Sequence, residues 1–309
     1  MQNNSLSLNT KNLITSGYFK YGQARRRRNF LWLVAPALIW FTLLMIWPLI
    51  NMFYISTLKW DGLTKPSRFI GLANYVSMLK DERLLHSIIN TGIHLLITVP
   101  IVIFPAFMLG FFLSQKGRGY RFFRIIFFSP ALISLAALAM LFTGVYLPDG
   151  ILNAILRYVG LASLTRVWLA DMSTALGAVI APDLWAGIGF WSVLFFAALS
   201  NIPNDIYEAA RIDGAKPWTI MWRMAFPLTM DFFGVAIMLQ FLWTIQAAQL
   251  VLLLTKGGPG DSSLLLPFHM YYLAFMAKHL GDSQAVAVVI FVIGIIGIVI
   301  IRRIFRRSY

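Results

Sequence analysis

No cysteine occurs in the 309 residues, which excludes a disulfide framework and any thiolate metal site. Charge is scarce as well: 12% of residues are charged and 59% are hydrophobic, where a soluble domain carries about a quarter charged residues. Acids are the scarcer of the two signs, 12 against 26 cations, for a formal net charge of +14. A Gly-x-x-x-x-Gly-Lys-Ser/Thr pattern is missing, so the chain has no loop to cradle nucleotide phosphates. There is no low-complexity tract and no simple internal repeat.

What is present is apolar residues gathered in long blocks. They run from about Leu31 to Ile55, Ile88 to Leu113, Ile125 to Leu147, Thr174 to Leu199, Phe232 to Leu254 and Ala285 to Ile301. Each is long enough, at 1.5 Å per residue, to cross a hydrocarbon layer of about 30 Å. Lipid offers the backbone no hydrogen-bond partners, so these blocks are expected to be helices. The fold class that follows is all-α, a polytopic membrane protein with about six transmembrane helices.

A net charge of +14 invites a nucleic-acid partner, but its distribution removes that need. Six crossings put both termini on one side. The loops of that side hold 17 cations, among them Arg25 to Arg28, Arg121, Arg124, Arg211, Arg302 and Arg303, against three acids, Asp205, Glu208 and Asp213. The opposite loops hold nine cations and seven acids. The excess therefore sits on the terminal side, which the positive-inside rule assigns to the cytoplasm. Arg27-Arg28-Asn29-Phe30-Leu31 looks like a twin-arginine signal, but the apolar stretch after it is too long and no small-residue cleavage site follows. An uncleaved first span is expected instead.

The loops of the other side carry structure signals. The first contains Trp60 and Phe69-Ile70-Gly71-Leu72-Ala73-Asn74-Tyr75. The second has an amphipathic run, Ile151, Leu152, Ile155, Leu156 and Val159, suited to a helix at the membrane surface. The third opens with the turn Gly257-Gly258-Pro259-Gly260.

The most informative stretch lies between the fourth and fifth blocks, on the terminal side. It reads Ile202-Pro203-Asn204-Asp205-Ile206-Tyr207-Glu208-Ala209-Ala210-Arg211-Ile212-Asp213-Gly214-Ala215 and ends at Phe226-Pro227-Leu228. Helix formers flank Gly214, which predicts two short helices with a bend between them. Ile206, Ile212, Trp218, Ile220 and Trp222 are too apolar to stand bare in water. They pack on this protein's own helices or form a knob for a cytoplasmic partner.

This stretch resembles the EAA loop of membrane subunits of binding-protein-dependent ABC importers: Glu-Ala-Ala, three residues, Gly, nine residues, then Ile-x-Leu-Pro. Glu208, Ala209, Ala210, Gly214 and Pro227 match at that spacing, while Met224 and Phe226 stand where the pattern has Ile and Leu. The likeness extends over nearly the whole chain. Gly71-Leu72-Ala73-Asn74-Tyr75 with Asn90-Thr91, Gly150-Ile151-Leu152-Asn153 with Trp168-Leu169, and Leu254-Thr255-Lys256-Gly257-Gly258-Pro259 are similar to segments of the maltose, glycerol-phosphate and lactose type of sugar permease.

The resemblance implies a type I ABC importer permease fold in a bacterial cytoplasmic (inner) membrane, with both termini cytoplasmic. It divides the chain into a basic cytoplasmic segment at 1–29, a first span with its outer loop at 30–83, a five-helix transport core at 84–302 carrying the coupling loop at 203–227, and a basic cytoplasmic tail at 303–309. It implies a second homologous permease subunit, two cytoplasmic ATPase subunits, an external solute-binding protein and a sugar substrate. The chain itself is expected to be no enzyme and to hold no cofactor, ATP-Mg being bound by the partners. Glu208, Ala209, Ala210, Asp213, Gly214 and Pro227 are the expected contacts to the ATPase subunits. Two roles stay open for Glu208, an ion pair with a partner cation and the capping of a helix N-terminus.

Polar side chains at membrane depth are costly unless they face water or a neighbour. Asp183 is the one acid well inside an apolar block, and it shares a helical stripe with Ala186, Gly187 and Phe190. Gln240, Thr244 and Ala247 form a second stripe, flanked by Trp243 and Gln246. These stripes resemble the positions lining the sugar site of the family, with Ser134 in the corresponding region of the third block. Aromatic faces and amides suit the C–H faces and hydroxyls of sugars. His94 joins this path or makes a helix contact. An acid at Asp183 disfavours anionic cargo, while disaccharides, oligosaccharides, sugar acids and glycerol phosphates all stay open. The rival classes are a secondary transporter, which would show paired repeats, and a membrane-embedded enzyme, which would gather acids or nucleophiles at one membrane face.

Overall fold

The computed structural model describes residues 33–62, 66–115, 117 and 119–305. The basic segment expected at 1–29, Lys116, Arg118 and the last four residues of the expected tail lie outside them. The chain falls into two units that join in sequence at Tyr54 and Ile55. The described part of the first is helix α1, Leu33–Ile55, whose last residue opens the second unit and which contains a π turn at Thr42–Ile46.

The second unit starts with a short antiparallel pair, β1 (Leu58–Lys59) and β2 (Arg68–Phe69), then α2 (Ala73–Met78) and the long α3 (Glu82–Ser114). Asp81 starts α3 by accepting the Arg83 backbone N–H at 2.9 Å, and Glu82 adds a second acid at the positive end of the helix. Thirty-three residues make α3 about 50 Å long, so it begins before the apolar block does. Pro100 and Pro105 lie inside it.

The third block is the main departure from expectation. Instead of one span over Ile125 to Leu147, two helices, α4 (Tyr120–Phe128, tightened to a 3-10 turn at Ser129–Leu132) and α5 (Leu135–Val145), meet at 101°. Pro130 supplies no backbone N–H, Ile133 and Ser134 are extended, and the Ser134 hydroxyl accepts from Ala137 N at 3.3 Å to start α5 afresh.

After α6 (Ile151–Tyr158), the amphipathic helix expected in this loop, comes α7 (Ala175–Ser200). The stretch that resembles the EAA loop follows as α8 (Asn204–Ile212) and α9, which runs through 217–228 with a π turn at Met221–Ala225. Next come α10 (Met230–Ile245), α11 (Gln249–Leu254), α12 (Leu266–Tyr271) and α13 (Leu280–Phe305). The fifth block is therefore interrupted at 246–248. Among the described residues five spans are long and apolar enough to cross a membrane, and the bent α4–α5 pair makes a sixth if it crosses.

The core of the second unit is aromatic and joins α3, α7, α9 and α10. Phe107 is fully buried, with ring centroids of Phe233 at 4.8 Å, Phe195 at 5.6 Å, and Trp222 and Phe226 at 5.9 Å. Helices α3 and α7 approach closely because Gly110 has no side chain: a Cβ there would lie 2.7 Å from the Phe195 Cβ and 2.8 Å from the Phe196 backbone N.

The loop segments singled out in the sequence are knots. Asn74 donates to the carbonyls of Ser56 and Leu58 at 2.8 and 2.9 Å, tying the first loop together. Asn90 donates to the carbonyls of Asp261, Ser262 and Leu264, and Thr91 accepts from Leu266 N at 2.8 Å. Asn153 accepts from the Trp168 indole at 2.9 Å and donates to Arg166 O at 2.9 Å. Each buried amide satisfies backbone groups that an irregular loop would otherwise strand.

Candidate functional site

Two sites emerge, a cavity among the spans and the bent α8–α9 segment. The cavity has a volume of about 470 Å³ and sits where both broken blocks meet α7. Ala131, Ile133, Leu135 and Leu138 come from the α4–α5 bend. Asp183, Ala186, Gly187 and Phe190 come from one face of α7. Gln240 and Trp243 come from α10, and Gln246 to Leu250 from the interruption and the start of α11. Non-helical backbone at membrane depth is tolerated where it is buried in protein or lines a watery cavity. The two interruptions meet that condition at the same place.

Of the expected lining residues, Asp183, Gly187, Phe190, Gln240, Trp243, Gln246 and Ala247 all border the cavity. Thr244 is buried beside it, its hydroxyl taking the Gln240 Nε2 donor at 3.1 Å, while Ser134 serves as the cap of α5. Gln240 is itself 1% exposed, and its Oε1 accepts from the Trp191 indole at 2.6 Å. Both ends of this amide are thus engaged, the oxygen joining α10 to α7 and the nitrogen bonded one turn along α10 itself. Trp243 is half exposed, and its ring meets Phe190 at 5.0 Å and Trp191 at 5.8 Å. Gln246 and Gln249 present exposed amides. Gly187 lets α7 close on Val102 of α3, whose two methyls a Cβ would meet at 3.1 Å.

Asp183 does not stand alone. His94, on α3 and 1% exposed, has its Nε2 3.1 Å from the Asp183 Oδ2. His94 therefore makes the helix contact that was one of its two expected roles, and makes it to a cavity residue. Spacing along one helix could not reveal this partner, because the two residues are 89 positions apart. Gln249 and the α4–α5 bend were also beyond the reach of helical periodicity, since both lie where the helix stops.

In the bent segment, Tyr207 and Ala210 of α8 and Ile220, Met221 and Ala225 of α9 are buried against the aromatic core, with Met224 and Phe226 packed on it as well. The opposite side exposes Glu208, Ala209, Ile212, Asp213 and Gly214, and Trp218 is half exposed. Gly214 ends α8 with a left-handed φ of +79°, and the Ala215 N–H reaches back to Ala210 O at 2.9 Å, a helix stop that glycine adopts without Cβ strain. Pro217 then opens α9, where its missing N–H costs nothing. Pro227 sits half-buried near the end of α9. Glu208 lies in the middle of α8, and Pro203 occupies the N-cap position, so the capping role left open for Glu208 is not seen. Arg211 reaches Gln115 at the end of α3. Burial raises the Tyr207 phenol above its ordinary pKa.

Three comparisons bear on these sites. Residues 72–308 match the family described as "Binding-protein-dependent transport system inner membrane component". The chain is 32% identical over 263 residues to the probable ABC transporter permease protein YurN of Bacillus subtilis, covering 84% of this chain and 90% of that one. It is likewise 32% identical over 268 residues to the sn-glycerol-3-phosphate transport system permease protein UgpA of Agrobacterium fabrum, covering 84% and 89%. In fold it is similar to a chain of a bacterial ABC transporter involved in the import of the acidic polysaccharide alginate, with a TM-score of 0.79 at 19% identity over 93% of this chain and 98% of that one.

Proposed function

The chain belongs to the family of binding-protein-dependent transport system inner membrane components, and from that premise we propose that it forms the membrane path of an ATP-driven importer of a sugar or oligosaccharide. A family of transport components fits a chain with no nucleotide loop of its own. Energy then comes from two cytoplasmic ATPase subunits, which bind ATP-Mg. An external binding protein delivers the cargo, and a second homologous subunit closes the path from the other side. Both termini lie in the cytoplasm in this reading, and the bent α4–α5 pair counts as a crossing.

The observation that carries the proposal is the two-faced α8–α9 segment. Its buried side packs on α3, α7 and α10, two of which line the cavity. Its other side offers a short ridge of Glu208, Ala209 and Ile212 next to the bend at Gly214. A partner that grips this ridge differently before and after ATP hydrolysis would shift the helices behind it as a body. In the cavity, the Trp243 and Phe190 faces and the Gln246 and Gln249 amides offer stacking and hydrogen bonds to a sugar.

Glu208 forms no hydrogen bond or ion pair among the described residues, so Glu208→Ala should leave the fold intact. Purified from membranes with its partners, the variant is expected to lose most of the co-purifying ATPase and at least about tenfold in uptake, the scale of a lost charged contact at an interface. Full ATPase association together with unchanged uptake would sink the proposal.

A further inference from the structure

We propose that Asp183, held in place by His94, makes the cavity select neutral oligosaccharides and reject those bearing uronate or phosphate groups. This rests on the reading of the cavity as a sugar path and narrows it to a class of cargo.

The charge inventory carries the argument. Among the described residues, Asp183 is the only acid that lines the cavity, and no Lys or Arg lines it. It projects from α7 eight residues past Ala175, about 12 Å along the helix. An acid at that depth persists only with a partner or with water, and Asp183 has both, its side chain being 24% exposed to the cavity and bonded to His94.

The protonation of the pair follows from geometry. The His94 ring is buried, and its Nδ1 has no partner among the described residues. An imidazolium would strand an N–H donor there, whereas a neutral ring with its proton on Nε2 strands only an acceptor and donates to the Asp183 Oδ2. The pair then keeps the full negative charge of the carboxylate. The second carboxylate oxygen, with no hydrogen bond among the described residues, is free to accept a hydroxyl. Neutral sugars bring such hydroxyls. A uronate or phosphate brings a second anion against a wall of this chain that offers no cation to meet it. At separations of about 6 Å and an effective dielectric of about 20, that repulsion exceeds a tenfold loss of affinity.

In this role Asp183 is a specificity residue and His94 a positioning residue. The test uses the whole transporter complex in lipid nanodiscs, without the external binding protein, so that only the membrane path chooses. The probes are a labelled pool of neutral di- and trisaccharides and the same pool after oxidation of its primary hydroxyls to carboxylates. The wild type should bind the neutral pool at least about tenfold better, and Asp183→Asn should shrink that ratio to within about threefold. His94→Leu should weaken neutral binding severalfold, and His94→Gln, which keeps a donor, should restore it. Equal binding of the two pools by the wild type, or an unchanged ratio in Asp183→Asn, overturns the inference while leaving the importer reading standing. Failure of both pools to bind removes the sugar reading and this inference with it.

Discussion

Three asparagines and one glutamine do a large share of the polar joining in this chain. Asn74, Asn90 and Asn153 each bond two or more loop backbone groups, and Gln240 joins Trp191 to Thr244 inside the bundle. Amides suit this work because one side chain both donates and accepts and carries no charge to desolvate. Histidine is used differently. His269, on α12, is 2% exposed with the Asp81 carboxylate 3.7 Å away. Burial holds its pKa below the ordinary 6.5, with Arg83 acting in the same direction and Asp81 and Asp261 opposing. The unfolded chain therefore takes up this proton first as pH falls. The stability contributed by neutral His269 is complete above about pH 6.5 and is lost as pH drops through that value toward the lowered native one. Thermal unfolding at about pH 7.5 and about pH 5.5 should show a drop in the wild type that is smaller in His269→Gln. An identical drop in both would refute this assignment.

Among elements, the α3–α7 pair is the frame on which the cavity and the bent segment are mounted. Gly110 permits their contact, and Gly110→Ala would drive a methyl to 2.7 Å from the Phe195 Cβ and 2.8 Å from a backbone nitrogen. Such overpacking is expected to cost about 1–3 kcal/mol, read as a lower unfolding temperature in detergent, with uptake impaired because α7 carries Asp183, Gly187 and Phe190 of the cavity wall. No change in unfolding temperature would mean the helices are less tightly paired than they stand here. These helices were legible in the sequence because lipid leaves a long apolar block few alternatives. The α8–α9 bend was legible too, since Gly214 sits between helix formers. The break at Ile133 and Ser134 and the interruption at 246–248 were not. The first has a local cause, a proline without an N–H; the second falls in Gln246-Ala247-Ala248, all good helix formers, so local propensity does not announce it. Periodicity grouped the residues of α7 and of α10 that share a face, but it could not see that Gln240 spends its amide on Trp191.

At the scale of the whole molecule, the pieces form one mechanical line. The exposed ridge of α8 backs onto buried Tyr207 and Ala210, these onto the aromatic cluster around Phe107, and that cluster onto the helices whose faces enclose Asp183, Phe190 and Trp243. A dense aromatic core transmits displacement with little give, which is what coupling between an energy source and a distant path needs. The line works as an importer only if the ridge faces the cytoplasm. Because the chain has no native cysteine, a single one placed at Ile212, 86% exposed beside the bend, reports that directly. Labelling with a membrane-impermeant maleimide should succeed in inverted vesicles, fail in intact cells, and weaken when the ATPase subunits are bound. Labelling from the outside of intact cells would contradict the account at its centre.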